Sequence, residues 1–346
     1  MKTILRMRVL FSMLFMMVGC SGIRLPGEPH LRVANRSVDI TEGTIQNTVR
    51  KIRVYALMSE LAYRKYDKGD RPPQNSTDEA PQKTDEKSEK ESRADKERAQ
   101  GWLVLDNWLK ERKWEFQKHF KLPCGNNSEN LEFDIWINKS SQPPEVVVAF
   151  RGTDDFSDWP SNLRGLLLYH RGHDQYARLQ NTGDVMKAVA DACLKAGPAA
   201  EVTSTGHSLG GGLAQNLFYT SQLWPSNRIT RITVFNSSPM TGWYQFGDKE
   251  RRKQAMTNFD KTMEEMTKGW QYPEIMSQKY GFGTMRVNER GEILAYFRYI
   301  FRVFCPEDPF ISVLNFNFTQ GETVKQHSMA NFAFHLLRYP DDASQL

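Results

Sequence analysis

Residues 201–224, EVTSTGHSLGGGLAQNLFYTSQLW, constrain the fold of this chain more than any other stretch. The first six residues have the composition of a short strand, and the apolar residues from 211 onward recur at helical spacing. Between them lie Gly206, Ser208 and Gly210, in the pattern G-x-S-x-G. Glycines on either side of the serine allow the backbone to turn sharply. The pattern therefore predicts a strand, a tight turn that presents the Ser208 side chain, and a helix.

Strands and helices alternate along the middle of the chain. The runs EVVVAF (145–150) and RITVF (231–235) are largely apolar, as in strands buried on both faces. The longer run YFRYIFRVF (296–304) also predicts a strand. Helical spacing over 174–197 and 211–224 lies between these runs. The alternation predicts an α/β fold with a mostly parallel central sheet flanked by helices.

Other segments add to this pattern. Residues 114–122 and 131–139 predict an N-terminal antiparallel hairpin, and residues 44–66 predict an amphipathic helix. Residues 67–100 contain no aromatic side chain and mix charges of both signs, which predicts a disordered or loosely helical charged insertion because little apolar surface is available to bury. Residues 241–294 are rich in methionine and aromatic side chains between two predicted strands, and they predict a cap-like insertion at the catalytic edge of the sheet.

A serine in such a turn acts as a nucleophile only with a general base nearby. In chains with this turn the order is serine, then acid, then histidine. His327 and His335 are the histidines that follow a plausible acid. His327 precedes a helix that Ser328 would cap, whereas His335 lies within that helix beside its apolar stripe. We therefore predict His327 as the base.

The acid is predicted from its place after a strand. Asp308 follows the strand predicted at 296–304, and a carboxylate just past the carboxyl end of a strand lies at the same sheet edge as the serine. Glu307 is the alternative acid.

The N-terminus has the features of an export signal. Lys2, Arg6 and Arg8 precede a ten-residue apolar run at 9–18, which is shorter than a membrane-spanning helix. Cys20 follows in a context that resembles a bacterial lipobox, so residues 1–19 are predicted to be a lipoprotein signal peptide and Cys20 the lipidated residue. The alternative is an ordinary secretory signal. The resemblance implies a lipid-anchored protein of the bacterial cell envelope, at the outer membrane.

Charge and cysteine usage argue against several classes of partner. The 46 basic and 41 acidic residues give a net charge of +5, and no nucleic-acid motif is present, so no nucleic-acid partner is predicted. Cys124, Cys193 and Cys305 lack the spacing of metal ligands. No metal site and no cofactor are predicted.

Several linked motifs resemble the class 3, or fungal-type, lipases of the α/β-hydrolase fold. They are VVVAFRGTDDFSDW, HRGHDQYA, GHSLGGGLAQNL, ITVFNSSPMTG, EDPF and HSM, spread over residues 44–66 and 102–335. The resemblance implies a triad of Ser208, Asp308 and His327. It also implies an oxyanion hole formed by Thr153, which follows F-R-G, and by the amide of Leu209.

These residues predict an ester hydrolase with a lipid or phospholipid substrate, either a triacylglycerol lipase or a phospholipase A, in one α/β-hydrolase domain over 20–346. Residues 155–168 carry an amphipathic stripe that fits either a lid or core packing. The alternatives are an esterase or thioesterase for small acyl substrates, and a non-catalytic envelope lipoprotein that retains the fold.

Overall fold

The computed structural model describes the parts of the chain that form the sheet, its helices and the connections around the serine turn. The described residues are 30–33, 36–38, 42–64, 66, 86–124, 130–153, 175–180, 183–221, 229–241, 283–301, 311–319 and 325–340. Within these ranges, no helix combines the length and apolar character that crossing a membrane requires.

Nine strands of the described residues form one mixed sheet. They are β1 (His30–Val33), β2 (Arg36–Val38), β3 (Glu115–Pro123), β4 (Asn130–Asn138), β5 (Glu145–Phe150), β6 (Glu201–His207), β7 (Arg231–Phe235), β8 (Gly283–Glu289) and β9 (Ser312–Phe316). Their order is β2-β1-β9-β8-β7-β6-β5-β4-β3. Strands β5 to β9 are mutually parallel. The antiparallel hairpin β1–β2 lies next to β9, and the antiparallel hairpin β3–β4 lies next to β5.

Helices cover both faces of the sheet. They are α1 (Glu42–Leu61), α2 (Glu86–Glu111), α3 (Gln175–Gln180), α4 (Gly183–Ala196), α5 (Leu209–Ser221), α6 (Ile293–Phe301) and α7 (Met329–Arg338), with a 3-10 turn at Lys325–His327 before α7. Apolar side chains of α1, α7 and the end of α2 form one core with the sheet, and those of α3, α4 and α5 form a second core. This is the layered α/β-hydrolase arrangement, as predicted.

The register of the parallel strands brings the functional segments to one edge. In β5 and β6, Phe150 pairs with Gly206, and in β6 and β7, His207 pairs with Phe235. In β7 and β8, Phe235 pairs with Val287. Because all four strands run the same way, the residues that follow them meet at a single sheet edge.

The prediction of a strand at 296–304 is wrong, since α6 occupies Ile293–Phe301. Leu294, Phe297 and Arg298 are buried at the i, i+3, i+4 spacing of one helix face. An apolar run rich in aromatic and β-branched residues satisfies both periods, and here burial of one face favours the helix. The strand that leads to this helix is β8, which lies at the end of the segment predicted as a cap.

Part of the charged segment 67–100 lies in a helix. Residues 86–100 belong to α2, whose later part packs into the core through Leu105 and Leu109. Residues 67–85 lie outside the described residues, as do 1–19, the lid candidate 155–168 and residues 242–282 of the predicted cap.

Candidate active site

The G-x-S-x-G turn has the strained geometry that the sequence predicts. Ser208 lies between β6 and α5 and has a φ of 57°, in the left-handed region that most side chains avoid. Its N–H donates to the Phe235 carbonyl at 3.1 Å, and its own carbonyl accepts from the Ser238 N–H at 2.9 Å. These bonds to the end of β7 hold the strained residue in place.

The flanking glycines are required by close backbone approach. A Cβ on Gly206 would lie 2.5 Å from the backbone of Gly210. A Cβ on Gly210 would overlap the carbonyl oxygen of Phe150, at the end of β5. The absence of side chains therefore allows α5 to begin directly against the strand ends.

His327 is paired with a buried carboxylate. The distance from His327 Nδ1 to Glu292 Oε2 is 2.6 Å, and both side chains are almost fully buried. Burial alone would raise the pKa of Glu292, but the charges of Arg298 and His327 and the hydrogen bond from His327 lower it below its ordinary value. Glu292 is therefore ionised, and His327 donates its Nδ1–H to it, so Nε2 is the ring nitrogen that can accept a proton.

Arg298 connects this acid to the serine turn. Its Nη2 donates to Glu292 Oε1, and its Nη1 donates to the Ser237 carbonyl at 2.7 Å. Ser237 precedes Ser238, whose N–H bonds the Ser208 carbonyl. The buried Arg298 thus both compensates the charge of Glu292 and fixes Glu292 relative to the segment that bonds Ser208.

His207, the neighbour of Ser208, contacts His327 directly. His207 Nε2 lies 2.8 Å from the His327 carbonyl oxygen, and its Nδ1 lies 2.9 Å from the hydroxyl of Tyr63. Burial and the charges of His327, Arg98 and Arg298 lower the pKa of His207 well below its ordinary value. The ring is therefore neutral, so Nε2–H donates to the carbonyl and Nδ1 accepts from Tyr63.

The structure brings part of the predicted site together. Ser208, Leu209 and His327 lie at one sheet edge, and Thr153 shares a cavity with His327. Ser328 caps α7 by accepting from the Asn331 N–H, as predicted. His335 lies within α7 and stacks on Phe318 at 5.2 Å. The predicted acid Asp308, its alternative Glu307, and Cys20 lie outside the described residues.

The sequence analysis does not identify Glu292, although this residue has the position that the analysis expects of the acid. It follows β8 by three residues, so it is a carboxylate just past the carboxyl end of a strand. Gly291, with a φ of 76°, marks the turn before it. The signal in the sequence is the run GTMRV followed by the turn NERGE, and both lie within the segment 241–294 that is predicted to be a cap.

A cavity of about 430 Å³ is lined in part by His207 and His327. Its volume is within the range of small-molecule sites. Its walls come from α1 and the turn after it, from α2, from the segment after β5 and from the start of α7. The lining residues are Glu60, Tyr63, Arg98, Trp102, Thr153, His207, His327, Ser328, Met329, Ala330, Asn331 and Phe334.

Solved structures with a similar architecture are fungal and yeast lipases. The lipase from Rhizopus microsporus var. chinensis is 14% identical, with 86% of this chain and 85% of that chain covered and a TM-score of 0.42. The Lip2 lipase from Yarrowia lipolytica is 12% identical, with 85% and 91% covered and a TM-score of 0.41. At this level of similarity they carry no conclusion about the chemistry of this chain. No curated protein matches the sequence.

A family model gives the assignment. The Tle-like phospholipase domain, described as phospholipase-like, matches residues 55–238, a range that includes the serine turn and ends before Glu292 and His327. Because this match covers more than half of the sequence, the chain belongs to the family of Tle-like phospholipase domains and is a carboxylic ester hydrolase that acts on lipids.

Proposed function

We propose that the chain is a phospholipase A that uses Ser208 as nucleophile, His327 as general base and Glu292 as the orienting acid. The observation that carries the proposal is the buried bond of 2.6 Å between His327 and Glu292 at the sheet edge that presents Ser208. The chain order of serine, acid and histidine is that of α/β hydrolases, in which the acid is either Asp or Glu.

The chemistry follows from the tautomer of His327. Nε2 accepts the proton of the Ser208 hydroxyl as Oγ attacks the acyl carbonyl of the lipid. The imidazolium that forms is stabilised by the ionised Glu292 at Nδ1. His327 then protonates the leaving alcohol, which departs and leaves the acyl group on Ser208. In the second half of the reaction His327 takes a proton from the attacking water and returns it to Ser208 Oγ as the fatty acid is released.

The oxyanion is assigned to two backbone positions. Leu209 is the first residue of α5, so its amide lies at the positive end of the helix dipole. Thr153 follows Gly152 at the end of β5 and lines the cavity that contains His327. Donors placed there would bind the charge that develops on the carbonyl oxygen.

Substitution of each proposed residue tests the mechanism. We expect Ser208→Ala, His327→Ala and Glu292→Gln each to lower kcat by about three orders of magnitude or more, with effects that do not add because the three groups act as a unit. The measurement is release of fatty acid from dioleoylphosphatidylglycerol in detergent micelles. Glu145→Gln is the matched control, since Glu145 is a half-buried carboxylate at the opposite edge of the sheet.

Two further readouts separate the alternatives. Ser208→Ala should abolish labelling by a fluorophosphonate probe, and a wild-type protein that is not labelled would instead favour a non-catalytic lipoprotein.

Asp308→Asn should retain activity if Glu292 is the acid. An inactive, folded Asp308→Asn together with an active Glu292→Gln would transfer the role to Asp308. Hydrolysis of short esters without hydrolysis of phospholipid would favour the small-substrate esterase.

We also propose that the protein is anchored to the bacterial envelope through a lipid on Cys20. Support comes from the basic residues at 2, 6 and 8, the apolar run at 9–18 and the Gly19–Cys20 pair. We expect mass spectrometry of the membrane fraction to find Cys20 as an acylated N-terminus, at the outer membrane. An unmodified Cys20 in the membrane-bound protein would contradict the proposal.

A further inference from the structure

One wall of the cavity carries a cation. Arg98 lies in α2 and lines the same cavity as His327 and Thr153. Its side chain is 39% exposed, whereas its partner Glu60 is 1% exposed. Of this pair, the guanidinium is therefore the member that is more accessible from the cavity and from solvent.

Arg98 is held in a fixed position. Its Nε donates to Glu60 Oε1 at 3.0 Å, and its Nη2 donates to Oε2 of the same carboxylate at 3.3 Å. Trp102 Nε1 also donates to Glu60 Oε1, at 2.8 Å. The guanidinium lies over two aromatic rings, at 5.4 Å from the Tyr63 centroid and 5.2 Å from the Trp102 centroid. A cation fixed in this way loses little conformational entropy when it binds an anion.

The electrostatics of the cavity agree with this placement. Besides burial and the charge of His327, the charge of Arg98 lowers the pKa of His207, whose ring lines the same cavity. The first turn of α7 forms another part of the wall, so the positive end of a ten-residue helix also faces it. Apolar side chains of Trp102, Met329 and Phe334 complete the lining.

We propose that Arg98 binds the phosphate of the glycerophospholipid substrate and so selects phospholipids over neutral glycerides. The inference deepens the proposed function and rests on it. In a glycerophospholipid the phosphodiester is separated from the scissile ester by a few bonds of the glycerol unit. The Arg98 guanidinium lines the same cavity of about 430 Å³ as His327, the proposed base, so a phosphate bound to Arg98 would hold the glycerol unit beside His327.

The test compares three lipids with the same acyl chains in nonionic detergent micelles: dioleoylphosphatidylglycerol, dioleoylphosphatidylcholine and dioleoylglycerol. We expect Arg98→Gln to lower kcat/KM about ten- to hundredfold for both phospholipids, because a charge-assisted hydrogen bond is lost. Activity on dioleoylglycerol, which has no phosphate, should change less than about threefold. An equal loss on all three lipids, or no loss on the phospholipids, would overturn the proposal.

Two control variants separate binding from folding. Glu60→Gln/Arg98→Gln removes both charges, so that no buried carboxylate is left uncompensated, and it should show the same loss of phospholipid selectivity. Arg112→Gln removes an arginine that is 44% exposed and lies 3.6 Å from the Trp108 centroid, outside the cavity lining. It should leave all three activities unchanged. A double variant that recovers wild-type selectivity would also contradict the proposal.

A binding measurement keeps the inference separate from the catalytic proposal. Ser208→Ala protein is titrated with monomeric dihexanoylphosphatidylglycerol, alone and with Arg98→Gln added. We expect the added substitution to raise Kd about tenfold or more. An unchanged Kd would refute the phosphate contact. If the wild-type protein hydrolyses no lipid but Arg98→Gln still raises Kd in the Ser208→Ala background, the catalytic proposal is refuted and the phosphate site is retained.

Discussion

At the scale of single residues, the serine turn and His327, the proposed base, are held together by hydrogen bonds that do not involve Ser208 Oγ or His327 Nε2. His207 donates to the His327 carbonyl and accepts from Tyr63. A Cβ on Gly152, the residue before Thr153, would overlap the Tyr63 hydroxyl. The Tyr63 hydroxyl thus packs against the segment of the proposed oxyanion residue Thr153 and bonds His207, which contacts the proposed base His327. Displacement of a catalytic group by a fraction of an ångström lowers the rate of such an enzyme.

Removing the Tyr63 hydroxyl tests this positioning role. We expect Tyr63→Phe to lower the free energy of unfolding by about 1–3 kcal/mol, because Nδ1 of the buried His207 loses its donor. We also expect kcat to fall about tenfold with little change in KM. Tyr55→Phe is the matched control, since the Tyr55 hydroxyl bonds Glu145 at 2.6 Å at the far edge of the sheet. It should lower stability and leave kcat unchanged. Equal effects of both variants on kcat would show that Tyr63 acts through stability alone.

At the scale of secondary structure, the sequence predicted the elements whose periodicity is strong. The hairpin of β3 and β4, the buried strands β5 and β7, and the turn from β6 into α5 lie close to where the sequence placed them. These elements bury apolar side chains, so their hydrophobic pattern reports their period directly. The fold class and the position of Ser208 follow from these elements alone.

Strand β8, which the proposed acid follows by three residues, gives a much weaker signal. Four of its buried residues are polar, namely Thr284, Arg286, Asn288 and Glu289. They are accommodated by tertiary contacts, such as the bond of 3.1 Å from the Asn288 amide to the Asn315 side chain. A buried polar strand of this kind does not show in a hydrophobic pattern, because its partners come from elsewhere in the chain. The sequence therefore favours Asp308, which follows the more apolar run at 296–304, over Glu292.

At the scale of the whole molecule, several buried ionisable groups converge on one edge of the sheet. His207, Glu289, Glu292, Arg298 and His327 are all buried there and come from three segments of the sequence, because Glu289, Glu292 and Arg298 share one of them. The topology brings them together because parallel strands end at a common edge. Groups buried in this way couple the protonation state of the edge to the stability of the fold. The sequence contains the groups but not their proximity, so this coupling could not be predicted from it.

Glu289 makes that coupling measurable. Burial, together with the charge of Glu292, raises its pKa from the ordinary value of 4.5 to about 7, against the opposing effect of backbone hydrogen bonds from Thr319 and Phe318. Between pH 4.5 and 7 the folded protein therefore retains a proton that the unfolded chain has lost, and the contribution of Glu289 to stability falls as pH rises through this window.

Substitution of Glu289 by glutamine, which imitates the protonated carboxyl, should remove this dependence. We expect Glu289→Gln to unfold with nearly the wild-type free energy at pH 5, and to be more stable than wild type by about 1–3 kcal/mol at pH 8. The sign follows because the wild-type fold must keep a buried carboxylate charged at pH 8 and the variant does not. Urea unfolding at pH 5, 6, 7 and 8 measures the difference, with the exposed Glu111→Gln as control. A difference that is constant with pH, or a variant that is less stable at pH 8, would contradict the raised pKa of Glu289.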